Sequence, residues 1–301
     1  MTDKVAEKFV HLLRERGFEV DYRPGISREG LIRAIKGCNI LVFRGRLRID
    51  KEIIEAGSDL VVLARYGIGL DNVDVDLALK KGIAVVNAPN ASCISVAELA
   101  IGLLISVFRN IYALVDAVKR MEWPKGRFTG RELYGKKLGV IGFGRIGSKV
   151  AEYARALGMN VLFHDIRDVS EDARRIGAVQ TSLENLLKGS DAVTVHVQLT
   201  PLTYHMLNER TLSMIPDNAV IVNTSRGEVI DTKALLNHLD RLGGVALDVL
   251  EQEPPKDEIY RKLIGHPKVI VTPHIGAETA EAMDRIADEL LQNIMEAIKW
   301  L

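Results

Sequence analysis

The sequence predicts an α/β protein with parallel sheets, and three observations lead to that prediction. Short runs of β-branched residues alternate with helical stretches along all 301 residues, a pattern typical of strand–helix–strand units. A glycine-rich turn lies in the middle of the chain instead of near its start. A polar, turn-prone segment, Asn87-Ala88-Pro89-Asn90, ends a first lobe of about ninety residues, which is within the usual size of a domain. The chain is therefore expected to fold as two units.

The individual elements follow from hydrophobic periodicity. Strands are expected over residues 39–43, 60–64, 83–86, 137–141, 160–164, 192–196, 219–223, 244–247 and 269–272. Helices are expected over residues 3–16, from Val96 to Ile111, and over residues 277–301. In the second of these helices the apolar residues recur at i, i+3 and i+4. That stripe is either core or a dimer surface, and the sequence favours neither.

One apolar strand runs into three glycines at the spacing G-x-G-x-x-G. They are Gly142, Gly144 and Gly147, and a helix-forming run over residues 148–157 follows them. The first glycine permits a tight turn, the second lets the backbone approach a pyrophosphate, and the third lets helix and strand pack closely. The amides of Arg145 and Ile146 would then lie at a helix N-terminus, which attracts anionic oxygens. The pattern predicts a dinucleotide site.

The next strand ends at Asp165, close to the ~20-residue offset expected of an acid that binds the ribose hydroxyls. A carboxylate at this place repels the extra phosphate of NADP, so the predicted cofactor is NAD. The predicted fold class is thus α/β, with a central Rossmann-type NAD domain at residues 89–277 inserted in a smaller flavodoxin-like α/β substrate domain. The smaller domain would join residues 1–88 to residues 278–301, because the final helix is free to cross back. An active cleft is expected between the two domains, at the carboxyl ends of the strands.

Composition narrows the kinds of partner. The formal net charge is zero, so no global field would hold nucleic acid or an anionic membrane. Cys38 and Cys93 lie far apart without the spacing of metal ligands, which predicts a reducing compartment and no metal. The N-terminus is charged, unlike a signal peptide, and Glu98 and Arg109 interrupt the most apolar helix. The sequence predicts a cytoplasmic protein that acts on a small molecule, with no nucleic-acid or membrane partner.

Three strands of the second lobe are followed by polar residues that suit one reaction. Arg226 follows the strand at 219–223, Glu253 precedes a proline after the strand at 244–247, and His274 follows the strand at 269–272. Taken singly, each is more often a surface charge, a loop carboxylate or a structural histidine. Together behind a dinucleotide site, they supply what hydride transfer to a 2-keto acid needs. These needs are a cation for the carboxylate and carbonyl, an acid for the developing alkoxide, and a carboxylate that favours the protonated form of that acid.

Further motifs complete a pattern that covers nearly the whole chain. They are Arg65-Tyr66-Gly67-Ile68-Gly69-Leu70-Asp71-Asn72-Val73-Asp74, Asn87-Ala88-Pro89-Asn90 with Ser95-Val96-Ala97-Glu98-Leu99, the glycine fingerprint, Asn223-Thr224-Ser225-Arg226-Gly227, Leu247-Asp248-Val249 with Glu253-Pro254, and Thr272-Pro273-His274-Ile275-Gly276. With these motifs the chain resembles the D-specific 2-hydroxyacid dehydrogenases. Within that family it is most similar to short 3-phosphoglycerate dehydrogenases.

The resemblance implies a role for each matching residue. Arg226 would bind the substrate carboxylate and carbonyl, His274 would be the acid/base, and Glu253 would pair with His274. The backbone of the substrate lobe would hold the substrate carboxylate from its other side, at Tyr66, Gly67 and Ile68. The further cofactor contacts would be Val197, Thr200, Thr224, Ser225, Asp248, facing the nicotinamide carboxamide, and Gly276. A homodimer that forms through the NAD domain is expected.

Two departures from the family pattern stand out. Family members usually begin with a strand, whereas this chain is expected to start in a helix at Asp3. Gln198 stands where the family typically has proline, which would loosen the loop beside the nicotinamide ribose and weaken the case for Thr200 as a contact. The length leaves no room for the C-terminal regulatory domain of some 3-phosphoglycerate dehydrogenases, so serine feedback through such a domain is not expected.

The substrate prediction depends on arginines of the first lobe. Arg44 and Arg46 follow one strand and Arg65 ends the next, and clustered guanidinium groups suit a phosphorylated acid. In 3-phosphoglycerate dehydrogenases an arginine at the position resembling Arg44 meets the substrate phosphate. The principal prediction is NAD-dependent oxidation of D-3-phosphoglycerate to 3-phosphohydroxypyruvate, the first step of serine synthesis. A solvated basic edge is the ordinary alternative for these arginines. Glyoxylate or hydroxypyruvate reduction is the alternative reaction, and an NAD-sensing, corepressor-like binding protein is the alternative class.

Overall fold

A computed structural model describes residues 1–299, except for the side chain of residue 170. The predicted final helix was drawn to residue 301, so its last two positions lie outside the described residues. The chain separates into two compact units, Met1–Cys93 with Ala277–Leu301 (unit 1) and Ile94–Gly276 (unit 2). The assignment of unit 1 to substrate binding stays a prediction.

The strands are β1 (Ile40–Phe43), β2 (Val62–Arg65), β3 (Ala84–Val86), β4 (Lys137–Ile141), β5 (Asn160–His164), β6 (Val179–Gln180), β7 (Ala192–Val195), β8 (Val220–Asn223), β9 (Gly244–Leu247) and β10 (Val269–Val271). The helices are α1 (Glu7–Glu15), α2 (Arg28–Ala34), α3 (Lys51–Ala56), α4 (Val75–Lys80), α5 (Cys93–Phe108), α6 (Ile111–Lys119), α7 (Arg145–Ala156), α8 (Ser170–Ile176), α9 (Leu183–Gly189), α10 (Glu209–Leu212), α11 (Thr232–His238), α12 (Glu258–Ile264) and α13 (Ala280–Lys299), and a 3-10 turn spans Gly227–Val229. Each predicted strand is present. The unpredicted strand, β6, is two exposed residues long and too short for a periodic signal.

Unit 2 is built on a seven-stranded sheet in the order β10-β9-β8-β7-β4-β5-β6, and each neighbouring pair is parallel. The chain leaves β4 toward β5 on one side and later returns to β7 on its other side. The crevice at the carboxyl end of β4 is therefore a topological switch point, where ligands bind in such sheets. Helices cover both faces of the sheet. Val140 packs into the core of one face and Ile141 into the core of the other.

Helix α5 belongs to the core of unit 2. Ala100, Leu103, Leu104 and Val107 are buried against the sheet, so the apolar stripe is core along this helix. The predicted helix ends earlier than expected, because Asn110 adopts a left-handed conformation with φ of 53° and starts the separate helix α6. Among residues 1–299 no single helix is long and apolar enough to cross a membrane, although α5 and α6 taken together as a bent pair meet that criterion.

Unit 1 contains a three-stranded parallel sheet in the order β1-β2-β3, with α13 packed on the same core as α1. The prediction of a helix from Asp3 is wrong, because α1 begins at Glu7. The residues before it instead lie extended at the sheet edge, where Thr2 N donates to Val42 O at 3.1 Å. On the far side Gly25 N donates to Thr2 O at 3.0 Å. The segments around Thr2 and Gly25 thus take the places of the first and second strands. With them, the sheet has the chain order 2-1-3-4-5 of a flavodoxin-like unit.

Candidate active site

The three glycines of the fingerprint differ in the space around them. Gly142 has φ of 87°, and a Cβ there would lie 2.9 Å from the carbonyl of His196. A Cβ on Gly147 would lie 2.0 Å from the carbonyl oxygen of Gly142, so any side chain would separate α7 from β4. Gly144 is different, since only one side-chain atom, Nη2 of Arg167, lies within 4 Å of its ideal Cβ position. The turn is therefore closed by the first and third glycines and open to a ligand at the second.

The open turn leads directly into the N-terminus of a helix. Gly144 is the N-cap of α7 and offers no side-chain cap, so the first amides of the helix, from Arg145 and Ile146, have no partner within the helix. These amides lie at the switch point of the sheet. They suit the pyrophosphate of a dinucleotide.

The acid that follows β5 is fixed beside this turn. Asp165 Oδ2 accepts from Phe143 N at 2.7 Å, and Asp165 Oδ1 accepts from Arg167 N at 2.9 Å. Arg167 adds Nε to Oδ1 at 3.0 Å and Nη2 to Oδ2 at 2.9 Å. Burial alone would raise the pKa of Asp165, but these hydrogen bonds and the guanidinium charge lower it to about 2. The carboxylate is ionised at neutral pH, as the ribose contact requires.

Two buried polar atoms at the ends of β7 and β8 lack a protein partner. They are His196 Nδ1 and Thr224 Oγ1. Among the described residues, these are the buried side-chain nitrogen and oxygen atoms without a hydrogen-bond partner. Burial lowers the pKa of His196 to about 3, so its ring is neutral, and its Nε2 pairs with Thr194 Oγ1 at 2.8 Å. Buried polar atoms are costly unless a hydrogen bond satisfies them. Of the two residues, His196 lies directly beside Gly142 of the glycine turn.

The loop after β7 is closed by one threonine. Thr203 Oγ1 donates to Gln198 O at 2.6 Å and accepts from Thr200 N at 2.8 Å. The loop therefore has internal hydrogen bonds even though Gln198 stands in place of proline. Val197, which starts the loop, contacts the Gly142 turn: a Cβ on Gly142 would lie 2.8 Å from its Cγ1. The contacts of Val197 and Thr200 with a cofactor stay predictions.

His274 and Glu253 form the central pair of the site. His274 Nδ1 and Glu253 Oε2 are 2.7 Å apart, and since a carboxylate only accepts, the imidazole donates through Nδ1. Glu253 Oε1 accepts from Leu250 N at 2.9 Å. Burial would raise the pKa of Glu253, but the hydrogen bond and charge of His274, with a contribution from Arg226, lower it below its usual value. Nε2 of His274 is left as the nitrogen that exchanges a proton with a ligand.

The loop that carries His274 is held by a buried carboxylate. Asp248 is 1% exposed, and its two oxygens accept from Ile275 N and Gly276 N, both at 2.9 Å, and from the hydroxyl of Thr272. His274 itself adopts a left-handed backbone with φ of 55°. Asp248 was predicted to face the nicotinamide carboxamide, and that contact stays a prediction. The structure shows that Asp248 fixes this loop on both sides of His274.

Arg226 is brought to this pair by a glycine. Asn223 Nδ2 donates to Arg226 O at 2.8 Å, and Asn223 Oδ1 accepts from Ser225 N at 3.0 Å, which fixes the turn after β8. A Cβ on Gly227 would lie 1.9 Å from the carbonyl carbon of Leu250. Only glycine lets the segment that leads to Glu253 pack against this turn. Arg226 is thus close enough for its charge to act on the Glu253 carboxyl.

A second histidine–glutamate pair lies nearby in the sequence, because its glutamate, Glu251, is two residues before Glu253. His205 Nε2 and Glu251 Oε2 are 2.8 Å apart, and Glu251 Oε1 accepts from Thr232 N at 2.7 Å. The ring of Tyr204 stacks on His205 with centroids 4.1 Å apart. Sequence reasoning missed this pair. The signal available was the Glu251-Gln252-Glu253 spacing, but nothing local indicates that a histidine 46 positions away binds the first glutamate.

The predicted substrate residues of unit 1 all have protein partners. Arg44 pairs with Glu278 through Nη2. Arg46 donates to Asp3 Oδ1 at 3.2 Å and through Nη2 to the carbonyls of Thr2 and Ile26, at 3.1 and 2.7 Å. Its donors thus hold the N-terminal segment, so Arg46 serves the fold whatever else it binds.

The loop after β2 is fixed by its own arginine. Arg65 Nη1 donates to Tyr66 O at 2.7 Å and its Nε to Gly69 O at 2.9 Å. Gly67 has φ of 141°, and Asn87 Nδ2 donates to Ile68 O at 2.6 Å. The loop of Tyr66, Gly67 and Ile68 is therefore ordered before any ligand binds.

Fold and geometry define a Rossmann-type dinucleotide-binding protein whose NAD unit carries a histidine–carboxylate pair. The chain belongs to the D-isomer specific 2-hydroxyacid dehydrogenases: the family model for their NAD binding domain matches residues 101–276. The resemblance, the fold class and the NAD cofactor predicted from the sequence are thereby confirmed.

The relatives are named for different substrates. The chain is 42% identical over 302 residues to D-3-phosphoglycerate dehydrogenase of Methanocaldococcus jannaschii, covering 99% of this chain and 57% of that protein. It is 42% identical over 275 residues to hydroxypyruvate reductase of Thermotoga maritima, covering 91% of this chain and 89% of that one. The crystal structure of Aquifex aeolicus D-lactate dehydrogenase with NAD and lactic acid superposes with a TM-score of 0.87 at 30% identity, covering 98% and 94% of the two chains. The chain thus spans little more than half of the first relative.

Proposed function

We propose that this chain is an NAD-dependent oxidoreductase that oxidises D-3-phosphoglycerate to 3-phosphohydroxypyruvate, the first step of serine synthesis. The observation that carries the proposal is the 2.7 Å pair of His274 and Glu253 in an NAD-binding unit. A protein that only sensed NAD would have no use for this pair. The pair therefore favours an enzyme over the corepressor-like alternative.

The proton in this reaction is handled by His274. NAD, when bound, would supply the acceptor for the hydride of the carbon that bears the hydroxyl. Because Nδ1 of His274 donates to Glu253, its Nε2 is free to take the hydroxyl proton during oxidation and to return it to the carbonyl oxygen during reduction. The ionised Glu253 stabilises the imidazolium formed in between.

The substrate carboxylate is assigned to Arg226. Its guanidinium can form two parallel hydrogen bonds with a carboxylate, and it polarises the adjacent carbonyl oxygen in the transition state. The turn of Asn223 fixes its backbone, and Nη1 of Arg226 donates to Ser225 O at 2.7 Å, which holds the side chain. The backbone of Tyr66, Gly67 and Ile68 is proposed as a second contact to the carboxylate.

The phosphate is assigned to Arg44, on the support of the 3-phosphoglycerate dehydrogenases among the relatives. One observation favours a second candidate. Glu278 already pairs with Arg44, so an anionic phosphate must displace a carboxylate of the protein. Hydroxypyruvate, which lacks the phosphate, meets no such competition, and the Thermotoga maritima relative matches over 89% of its own length. Hydroxypyruvate reduction is therefore the second proposed reaction.

The test is a steady-state assay of NADH absorbance with phosphorylated and unphosphorylated 2-hydroxy and 2-keto acids. The expected result is the largest kcat/KM for the 3-phosphoglycerate and 3-phosphohydroxypyruvate pair. Turnover of hydroxypyruvate or glyoxylate with none of the phosphorylated pair would refute the substrate and keep the reaction class. His274→Asn is the control, expected to lose about 10²–10⁴-fold in kcat while it keeps NADH affinity.

We propose that the protein is a homodimer that pairs through unit 2. The support is an apolar surface on α6 and the segment that follows it, where Ile111, Val115 and Val118 are exposed and Trp123 is 79% exposed. Surfaces of this kind usually mark interfaces. Val115→Asp should convert a dimer to a monomer in light scattering, whereas Val179→Asp, at an exposed site of β6, should not. A monomeric wild type would refute the proposal.

The cytoplasm stays the proposed compartment. In the part of the chain that the structure describes, neither Cys38 nor Cys93 is in a disulfide, which agrees with a reducing environment.

A further inference from the structure

The loop after β5 carries a cation that the NAD prediction did not include. Arg167 grips the Asp165 carboxylate with both its side chain and its own amide, while Phe143 N donates from the glycine turn. Four hydrogen bonds thus reach the two oxygens of Asp165. A carboxylate has about four such positions, so its capacity is filled.

The Arg167 guanidinium also lies over the glycine turn. Its Nη2 is 3.5 Å from the ideal Cβ position of Gly144, the glycine that is otherwise open to a ligand. The Arg167 side chain is 60% exposed, whereas that of Asp165 is 6% exposed. The guanidinium is the exposed half of the pair, so water can solvate it when it turns away from Asp165. Arg167 is thus a solvent-facing cation beside the predicted ribose-binding acid.

We propose that Arg167 is a specificity-determining residue that binds the 2′-phosphate of NADP, so that this site accepts NADP as well as NAD. The proposal deepens the proposed function and rests on the same dinucleotide site, though on no particular acid substrate. A lone carboxylate at position 165 would accept the ribose hydroxyls and repel a 2′-phosphate. Here its charge is compensated by a planar guanidinium, the group that binds phosphate oxygens in pairs.

Both cofactors must displace Arg167, but with different results. A ribose hydroxyl can bond to Asp165 only when one of the guanidinium bonds is released, since all positions on the carboxylate are taken. With NAD the released guanidinium returns to water. With NADP it gains a charge-assisted bond to the 2′-phosphate. Specificity is the difference between the two affinities, so Arg167 works against the preference for NAD that Asp165 sets.

Binding measurements test this without turnover. NADH and NADPH are titrated by their fluorescence into the wild type and into Arg167→Gln. The matched control is Arg175→Gln, which removes the same charge from an exposed pair with Asp172 on α8. The wild type should bind the two cofactors within about a hundredfold of each other. Arg167→Gln should weaken NADPH at least tenfold and leave NADH unchanged or tighter, while the control keeps the wild-type ratio.

Two further variants separate the roles of acid and cation. Asp165→Ala, which frees the guanidinium, should bind NADPH more tightly than NADH. Adding Arg167→Gln to it should remove that preference. The fragment 2′,5′-ADP should compete with NADH in the wild type and lose at least tenfold against ADP in Arg167→Gln.

The proposal is overturned if Arg167→Gln weakens NADH and NADPH equally, because the arginine would then serve only the shared pyrophosphate or the shape of the loop. An unchanged ratio overturns it as well. Failure of the proposed function looks different. A protein that shows the expected binding ratios but reduces none of the acids would refute the reaction and leave the role of Arg167 in place.

Discussion

Glu253→Gln is the sharpest test of the catalytic pair. Glutamine keeps the size of the side chain and can keep the bond from Leu250 N, so the change removes mainly the charge that faces His274. Hydrogen bonds to charged groups contribute about 1.5–3 kcal/mol. The side chains of His274 and Glu253 are 50% and 37% exposed, so we take the low end, about 1.5 kcal/mol, which is about a tenfold loss of kcat/KM.

The orientation of the introduced amide adds to that loss. If its oxygen stays with Leu250 N, its NH₂ faces His274 and forces Nδ1 to accept. Nε2 then already carries a proton and cannot take the one from the substrate hydroxyl. Reduction of the keto acid should suffer as well, because a neutral imidazole that gave up its Nε2 proton would become an imidazolate. Both directions should therefore lose kcat/KM by the same factor.

The assay is NADH absorbance in both directions, with single and double variants of Glu253 and His274. Because the glutamate acts through the histidine, the double variant should be about as slow as His274→Asn alone. NADH affinity, measured separately, should stay at the wild-type value in each variant. Losses that multiply in the double variant, or a Glu253→Gln enzyme with full activity in both directions, would refute the reasoning.

Three other predictions follow from the packing and charges. Gly227→Ala would place a Cβ 1.9 Å from the carbonyl carbon of the neighbouring segment, so it should lower the free energy of unfolding by about 3 kcal/mol in denaturant titrations, while Gly102→Ala, with open space around it, should not. Glu278→Gln should free Arg44 and lower KM for a phosphorylated acid severalfold without changing KM for hydroxypyruvate; equal effects on both acids would exclude competition at Arg44. The pKa of Asp165 is lowered from 3.8 to about 2, so its ion pair should stabilise the fold above pH 3.8 and be lost as the pH falls toward 2. The destabilisation by Asp165→Asn, about 2 kcal/mol at most because its partner is exposed, should shrink over that range in urea titrations.

The sequence was most informative where chemistry is local in the chain. The three fingerprint glycines needed only the strand and helix on either side of them. The structure requires glycine at positions 142 and 147 and leaves open space at Gly144. Strands β8, β9 and β10 are parallel neighbours, so their carboxyl ends lie at one edge of the sheet. The loops that leave this edge carry Arg226, Glu253 and His274. The hydrophobic periodicity of the strands is local in the chain as well, and it predicted where the core lies.

Contacts between distant side chains could not be predicted. Nothing local shows that Asp248 fixes the loop of His274, or that Glu278 neutralises Arg44 across 234 positions. The extended N-terminus was missed for a similar reason. Residues near Asp3 have helical periodicity, but hydrogen bonds to the edge of β1 outweigh that weak preference.

The two histidine–glutamate pairs determine whether side-chain conformational entropy is lost during folding or during substrate binding. Glu251 is bound by His205 and by the amide of Thr232, and Glu253 by His274 and by the amide of Leu250, so the chain between them is held at both ends without any ligand. Ordering one flexible side chain costs about 0.5–1.5 kcal/mol. For the acid/base pair this cost is met during folding, when the core forms. Substrate binding energy therefore need not be used to order the catalytic groups and can contribute to the reaction itself.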